Sequence, residues 1–295
     1  MKILIAGDIS TINIKNFSIK NINPSYKKII KEQDLVLFNL EGPIVSSQKK
    51  LLVFRENRIK NDFLRFFNFL NNKISGKSQV YVSSNDSLIK LLKINRNTVV
   101  TLANNHIKDY GKDGFLSTKK KLAKNKIGFF GAGENLSDCR DFEYGNIIFI
   151  NINIVGNKKC NIPIGLYSAT QADFGANNIS VEKLSKKIAL LKRSNKKIIL
   201  IIHGGKEMVK EESSLGINLK KIRSLGADIV VIHHPHVYLK TKYEKYNIFF
   251  LGDFIFKQEH LPNNRESALL KVYDNGFGLK TELIRFNVCD IYKYE

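Results

Sequence analysis

The sequence comprises 295 residues, of which 43% are apolar, and carries a formal net charge of +21 at pH 7. This composition supports a sizeable core and excludes a disordered chain or a fibrous repeat, while three scattered cysteines without a CxxC pair exclude a disulfide framework and a cysteine-based metal knuckle. The lysines are spread along the chain rather than clustered, so we expect a solvated basic surface, compatible with an anionic substrate, and no specific nucleic-acid site.

The N-terminus, MKILIAGDIS, predicts a buried strand rather than a targeting segment. Its apolar run is too short for a signal peptide and is interrupted by Asp8. No window of the sequence approaches the roughly 18 apolar residues that a membrane span needs. We therefore expect a cytoplasmic protein without a membrane span.

Short apolar runs that are typical of buried strands recur along the chain. They are KILIA, LVLFN, TVVTLA, IIFINI, IILIIH, DIVVI and IFFLG. Segments of helical period lie between several of them, at about 61–71, 85–94, 113–125, 181–194 and 217–225. This alternation of strands and helices predicts an α/β architecture.

The C-terminal stretch ALLKVYDNGFGLKTELIRFNV instead predicts a hairpin that turns at Asn275-Gly276. A mixed sheet, or two sheets packed together, is therefore favoured over one purely parallel sheet. Residues 155–180 lack clear periodicity and form either a functional loop or an ordinary surface excursion. Because no boundary separates the polar clusters described next, we expect residues 1–295 to form a single domain.

Polar side chains follow the predicted strands at the points where the apolar runs end. They are Asp8, Glu41, Asn104, Asn105, His106, His203, His233, His234, His236 and Asp253. Five of the six histidines in the sequence are among them. Because parallel strands place their carboxyl ends on one edge of a sheet, where α/β folds bind ligands, the pattern predicts that six distant segments meet at one polar site.

Each of these residues alone has a structural alternative; Asp8, for example, could cap a turn or a helix. The pair His234 and His236 is more specific, because alternate residues of an extended segment share a face and Pro235 fixes its own φ. Carboxylates, amides and imidazoles without a thiolate favour Mn, Fe or Zn. The candidates exceed the four ligands of one zinc ion, so we expect two divalent metal ions that share a carboxylate and act at phosphorus.

Seven motifs carry a resemblance to a known family. They are GDIS (7–10), FNLEGP (38–43), LANNHIKDYG (102–111), GAGEN (131–135), HGGKE (203–207), GADIVVIHHPHV (226–237) and FLGDFIF (250–256). In content and order they resemble the CapA family of bacterial capsule and poly-γ-glutamate synthesis proteins, which is related to calcineurin-like metallophosphoesterases. The resemblance implies a four-layer αββα sandwich, in which two mixed β-sheets are flanked by helices.

The resemblance also implies roles for individual residues. The metal ligands would be Asp8, Glu41, Asn105, His203, His234 and His236, with Glu41 as the shared carboxylate. His106 would donate a proton to the leaving oxygen, and Asp109 would hold the other nitrogen of that imidazole; alternatively, Asp109 caps the helix predicted from about 113. The candidate substrate-binding residues are Arg55, Asn104, Lys206, Glu207, His233 and Asp253, of which Arg55 could clamp a phosphate or carboxylate.

Four positions depart from the pattern of the family or of the related phosphoesterases. Ile232 stands where glycine is usual before the His-Pro-His run. Ser10 stands where phosphoesterases carry the histidine of an Asp-x-His motif, so one metal position is expected to lack an imidazole and to bind weakly. Gly204 stands in place of a bulky tryptophan, and Asp253 stands where asparagine is usual.

The function implied by the resemblance is that of a metal-dependent hydrolase or transferase in capsule or other surface-polymer synthesis. Its substrate would be an anionic small molecule, glycan or polymer that carries phosphate or acidic groups. An alternative is a metal-containing assembly component of a capsule locus without turnover of its own. A third hypothesis, nuclease activity or nucleic-acid binding, rests on the +21 charge, and we expect only nonspecific binding.

Overall fold

The computed structural model describes residues 1–14, 16–46, 82–134, 138–155, 175–176, 181–257 and 265–293. The helices are α1 (Pro24–Lys31), α2 (Leu88–Leu92), α3 (Gly111–Lys124), α4 (Val181–Arg193), α5 (Leu219–Arg223) and α6 (Val288–Ile291). The strands are β1 (Lys2–Ile9), β2 (Leu35–Leu40), β3 (Thr98–Thr101), β4 (Gly128–Phe130), β5 (Ala132–Gly133), β6 (Phe142–Tyr144), β7 (Ile147–Asn153), β8 (Gly175–Ala176), β9 (Lys197–His203), β10 (Ile229–His233), β11 (Ile248–Phe250), β12 (Asp253–Ile255), β13 (Glu266–Asp274) and β14 (Leu279–Asn287). Arg55, the helix predicted at 61–71 and most of 155–180 lie outside the described residues.

Two mixed sheets run through the described part of the chain. The larger has the order β14-β13-β1-β2-β3-β4, with β12 also paired to β1, and the smaller has the order β11-β10-β9-β7-β6. Strands β1 to β4 are mutually parallel, as are β7, β9, β10 and β11. The antiparallel neighbours are β13 beside β1 and β6 beside β7. The strands that precede the polar motifs are therefore the parallel ones.

The alternation of side chains along each strand builds four layers. Ile3 and Ile5 of β1 point between the sheets, where they pack in one buried cluster with side chains of β7, β9 and β10. Leu4 and Ala6 point the other way and pack with residues of α1, α2, α3 and α6. On the far side, the smaller sheet packs its outer face against α4 and α5. This arrangement confirms the predicted αββα sandwich.

The C-terminal hairpin is confirmed as well. β13 and β14 pair antiparallel from Glu266–Asn287 to Asp274–Leu279, and Gly276 takes a φ of 89° in the turn. Three predicted helices are found with shifted ends, since α3 begins at Gly111 and α2 and α5 have five residues each. Among the described helices, none combines the length and the apolar character needed to cross a membrane.

Gly7 permits the close approach that brings two of the site's strands together. A Cβ atom at this position would lie 2.0 Å from the carbonyl oxygen of Gly252. The amide of Asp8 donates to the same oxygen at 3.1 Å, and Asp8 then stands in register with Asp253 of β12. A residue without a side chain is therefore required beside Asp8.

Candidate metal centre

The carboxyl ends of five parallel strands meet at one edge of the sandwich. The larger sheet places Asp8, Glu41 and Asn105 there, at the ends of β1, β2 and β3, and the smaller sheet places His203, His234 and His236 at the ends of β9 and β10. Ligand atoms of Glu41, His203 and His234 all lie within 4.8 Å of one another, as do those of Asp8, His236 and Asp253. The structure thus brings the six predicted ligands together.

Glu41 lies at the meeting point of the two sheets. Its side chain is fully buried, and neither carboxylate oxygen has a hydrogen-bond partner among the described residues. The Oε1 atom lies 3.8 Å from Nε2 of His106 and 3.9 Å from Nε2 of His203. Burial raises the pKa of Glu41 well above its usual value. A buried carboxylate without partners is costly unless a cation or a hydrogen bond satisfies it.

His203 and His234 lie near this carboxylate and carry neutral imidazoles. Burial lowers the pKa of His203 well below its ordinary value, and it lowers that of His234 to about 3. The Nδ1 atom of His234 is buried and has no hydrogen-bond partner among the described residues. Nε2 of His203 lies 2.8 Å from Oδ1 of Asn105. Neutral imidazole is the form that binds metal ions.

Asn39, inside β2, orients residues from both sheets. Its Nδ2 donates to Oδ1 of Asp8 at 2.7 Å and lies 3.2 Å from Nδ1 of His203, while its Oδ1 accepts from the Thr101 hydroxyl at 2.9 Å. The contact with Asn39 fixes the orientation of the His203 ring, so that its Nε2 faces Asn105 and Glu41. Asn39 was not among the predicted site residues, although a lone amide in the otherwise apolar run LVLFNL was a signal.

Asp8 and His236 form the second half of the site. Nδ1 of His236 lies 2.9 Å from Oδ1 of Asp253 and 3.7 Å from Oδ2 of Asp8. Burial opposes the charged form of His236, yet the nearby Asp253 and Glu41 raise its pKa to about 10. Burial likewise opposes ionisation of Asp8, but attraction by His233, whose Nδ1 is 3.2 Å from Oδ1 of Asp8, lowers the pKa.

The Ser10 hydroxyl bonds to loop backbone groups and is not part of this ligand cluster. It donates to the carbonyl oxygen of Ser83 at 3.2 Å and accepts from the amide of Ile12 at 3.2 Å. The side chain therefore ties two loops together.

The segment His234–Pro235–His236 is a turn rather than the predicted extended segment. The prediction that its alternate residues share the face of a strand is wrong, because β10 ends at His233. His234 has a φ of 92° and His236 a φ of 60°, a region that costs non-glycine residues about 1–3 kcal/mol each. The two rings lie 5.9 Å apart between centroids, so the turn achieves the proximity that a strand was expected to provide.

His106 and Asp109 form the predicted contact. Nδ1 of His106 lies 2.6 Å from Oδ2 of Asp109, and the same carboxylate oxygen accepts from the amide of Val82 at 2.8 Å. The alternative that Asp109 caps α3 is wrong, because Tyr110 holds the cap position and no side chain bonds there. His106 thus has one nitrogen fixed, while the other faces Glu41.

The other candidate residues have different surroundings. Asn104 is buried, and it bonds only to backbone groups in the described contacts, donating to the Leu40 carbonyl at 2.8 Å and accepting from the amide of His106 at 3.2 Å. Lys206 is exposed. The Glu207 side chain is 42% exposed, with Oε1 3.9 Å from Nε2 of His234, so it lies at the mouth of the site.

Arg265 is a further residue that was not among the predicted site residues. Its Nε donates to Oδ2 of Asp253 at 2.7 Å, and its Nη2 contacts the same oxygen and the carbonyl oxygen of Phe256. The residue is only 5% exposed. Nothing in the surrounding NNRES distinguishes this arginine from the many exposed basic residues of the chain.

The donor set fits divalent metal ions. Buried carboxylates, neutral imidazoles and an amide oxygen, without a thiolate, suit Mn, Fe or Zn. The unpartnered oxygens of Glu41 and the unpartnered Nδ1 of His234 are the buried atoms that a cation would satisfy. The residues present therefore fit the expected cofactor.

Comparisons with known proteins place the chain among capsule proteins. It is 29% identical over 256 residues to the capsule biosynthesis protein CapA of Bacillus anthracis, a match that covers 84% of this chain and 56% of that protein. It is 30% identical over 225 residues to the PGA biosynthesis protein CapA of Bacillus subtilis (strain 168), covering 74% of this chain and 56% of that protein. The matched stretch thus spans little more than half of either relative.

Two solved structures have weak overall similarity. The protein TT1561 of Thermus thermophilus aligns over 97% of this chain and 98% of its own, with a TM-score of 0.44 and 11% identity. A dimetal phosphatase from Danio rerio aligns over 69% of this chain and 87% of its own, with a TM-score of 0.38 and 11% identity. Both scores are too low to bear on function. In contrast, a family model matches residues 2–258 of this chain, and the family is described as bacterial capsule synthesis protein PGA_cap. This chain therefore belongs to that family.

Proposed function

We propose that this protein is a divalent-metal-dependent hydrolase or transferase that acts on a phosphorylated or acidic intermediate of capsule or other surface-polymer synthesis. Membership of the capsule synthesis family supports the biological context. The observation that carries the chemistry is the Glu41 carboxylate, which is fully buried without a hydrogen bond to either oxygen in the described structure. It lies between one cluster of neutral histidines and a second cluster built around Asp8.

Six residues would hold two divalent ions at this place. They are Asp8, Glu41, Asn105, His203, His234 and His236. When bound, such ions supply positive charge that polarises a phosphoryl oxygen and stabilises the developing charge of an in-line displacement. Asn39 prepares the cluster by holding Asp8 and His203 in fixed orientations, which is the contribution of the protein to such a site.

His106 is proposed to donate the proton that the leaving oxygen needs. Its Nδ1 is held by Asp109 at 2.6 Å, which fixes the orientation of the ring. Its Nε2 points towards Glu41 at 3.8 Å and therefore towards the place where a substrate would lie. General acid catalysis of this kind contributes about 10²- to 10⁴-fold to a rate.

The surroundings of the site fit an anionic substrate, which we propose to be a small molecule, glycan or polymer. The net charge of +21 creates a positive field that attracts anions, and Lys206, three residues after the candidate ligand His203, is exposed. Glu207 lies beside His234 at the mouth of the site, where it could accept hydrogen bonds from hydroxyl groups of a glycan.

Two histidine variants test the proposal because they separate metal binding from proton transfer. His234→Ala is expected to lose both bound metal and turnover, whereas His106→Gln is expected to keep its metal and to lose about 10²- to 10⁴-fold in turnover. Metal content is measured by elemental analysis, and turnover with Mn²⁺ on panels of phosphomonoesters and phosphodiesters. Full metal content in His234→Ala would refute the ligand assignment. A parent protein that holds metal but is inactive on every substrate would favour the non-catalytic assembly component.

A further inference from the structure

Asp253 occupies an unusual position beside the site. It lies in register with Asp8 on neighbouring parallel strands, and both carboxylates are fully buried. Two buried carboxylates side by side repel each other unless each has a compensating partner. Candidate ligand atoms of Asp253, Asp8 and His236 also lie within 4.8 Å of one another. By distance alone, Asp253 is therefore a candidate metal ligand.

Both oxygens of Asp253 are already engaged by neighbouring side chains. Oδ1 lies 2.9 Å from Nδ1 of His236, and Oδ2 accepts from Nε of Arg265 at 2.7 Å and from its Nη2. The Asp253 backbone amide donates to the Ser267 hydroxyl at 3.0 Å. Arg265 is held in turn by the carbonyl oxygen of Phe256. The carboxylate is therefore fixed in position and in the orientation of its plane.

We propose that Arg265 clamps Asp253 so that this carboxylate serves as a positioning residue for His236, rather than as a metal ligand or a substrate-binding residue. This inference rests on the proposed metal-dependent function and assigns roles to two residues outside the ligand set. The guanidinium cancels the charge of the carboxylate, and its two nitrogens fix the oxygen that faces away from the site. The other oxygen then holds Nδ1 of His236, which leaves Nε2 as the nitrogen available to a cation.

A set of variants at Asp253 and Arg265 separates charge compensation from positioning. In Asp253→Asn/Arg265→Met, both charges are removed but an amide oxygen remains to accept from Nδ1 of His236. In Asp253→Ala/Arg265→Met, both charges are removed and that acceptor is lost as well. The single variants Asp253→Asn and Arg265→Met each leave one buried charge without its partner. Arg285→Met is the matched control, since Arg285 is 59% exposed on the same hairpin and pairs with Glu266 at 3.7 Å.

Mn²⁺ affinity, measured by calorimetric titration of the full chain, is the first readout. The variant Asp253→Asn/Arg265→Met is expected to bind more tightly than either single variant. Asp253→Ala/Arg265→Met is expected to bind about 10- to 100-fold more weakly than the parent at the position that uses His236. Arg285→Met should match the parent. Equal affinities of the two double variants, or parent-like affinity of Arg265→Met, would overturn the proposal.

Thermal unfolding of the metal-free proteins is the second readout, and it distinguishes failure of this inference from failure of the proposed function. If the parent binds no divalent ion, the metal-dependent function is refuted while the clamp is still tested. A higher melting temperature for Asp253→Asn/Arg265→Met than for Arg265→Met supports the clamp, because the coupling of the two charges is then measured directly. Strictly additive losses in melting temperature would show that the two residues do not act together and would overturn it.

Discussion

Replacing Glu41 with methionine is expected to stabilise the metal-free protein and to remove its stabilisation by metal ions. Methionine has a similar length, is apolar and adapts to irregular space. The substitution therefore removes two buried oxygens that lack hydrogen bonds in the described structure while it keeps most of the packing. A stabilising outcome is distinctive, because most substitutions of buried residues destabilise a protein.

The expected magnitude follows from the burial of the carboxyl group. Mutational data put the cost of burying a polar group without a hydrogen bond at about 1–3 kcal/mol. Each kcal/mol shifts the melting temperature of a domain of this size by about 2 °C, so metal-free Glu41→Met should melt roughly 2–6 °C above the parent. Metal at one hundred times its dissociation constant would stabilise the parent by about 2.7 kcal/mol, and the variant should lose most of this gain.

The assay is thermal unfolding of chelator-treated protein, followed by the same measurement with added Mn²⁺ or Zn²⁺. Glu182→Met is the matched control, since the Glu182 side chain is 77% exposed and its replacement should change the free energy of unfolding by no more than about 0.5 kcal/mol. Metal-free Glu41→Met that melts below the parent, with the control unchanged, would refute the reasoning. It would mean that the carboxyl group of Glu41 stabilises the protein without a cation.

Three further predictions concern protons and packing. Burial opposes the charge on His236, but its neighbouring carboxylates raise its pKa to about 10. Burial also raises the pKa of Glu41 well above its usual value. Because both groups must be deprotonated to bind a cation, metal binding at pH 7 should release at least one proton and weaken as the pH falls. Calorimetry in buffers of different ionisation enthalpy that detects no release would contradict this. Asp109→Asn should lower turnover about 10- to 100-fold with metal content unchanged, because His106 loses its charged partner. A parallel loss of metal in elemental analysis would refute the role of Asp109 in orienting His106. Gly7→Ala should destabilise the protein by about 3 kcal/mol or more in denaturant unfolding, because its Cβ would meet a backbone oxygen at 2.0 Å. The control Gly278→Ala should have little effect, because there is open space around Gly278. Equal stabilities of the two variants would contradict the close approach.

The pattern of the sequence predicted the part of the site that depends on sheet topology. Asp8, Glu41 and His203 each follow an apolar run that forms a parallel strand, and parallel strands bring such positions to one edge. The period-2 alternation that separates the two faces of a buried strand is hidden in runs that are apolar on both faces. The αββα layers were therefore accessible only through the resemblance of the motifs.

Other parts of the site depend on interactions that a local pattern does not encode. The positive φ values of His234 and His236 are imposed by their surroundings, since histidine tolerates that region better than most residues but still adopts it rarely. Arg265 is 12 residues from Asp253 in the chain, and it is buried where it contacts Asp253 and the carbonyl oxygen of Phe256. Only tertiary structure distinguishes it from a solvated arginine.

The division of the ligands between the two sheets has a mechanical consequence. Asp8, Glu41 and Asn105 belong to one sheet and the three candidate histidine ligands to the other. The interior between the sheets is built mainly from apolar contacts, which have no directional preference. A cation held by both sets of ligands would link the two sheets at one end of this interior and would oppose their sliding or separating there. Occupancy of the site by metal would then determine how far the two sheets can move relative to each other at that end.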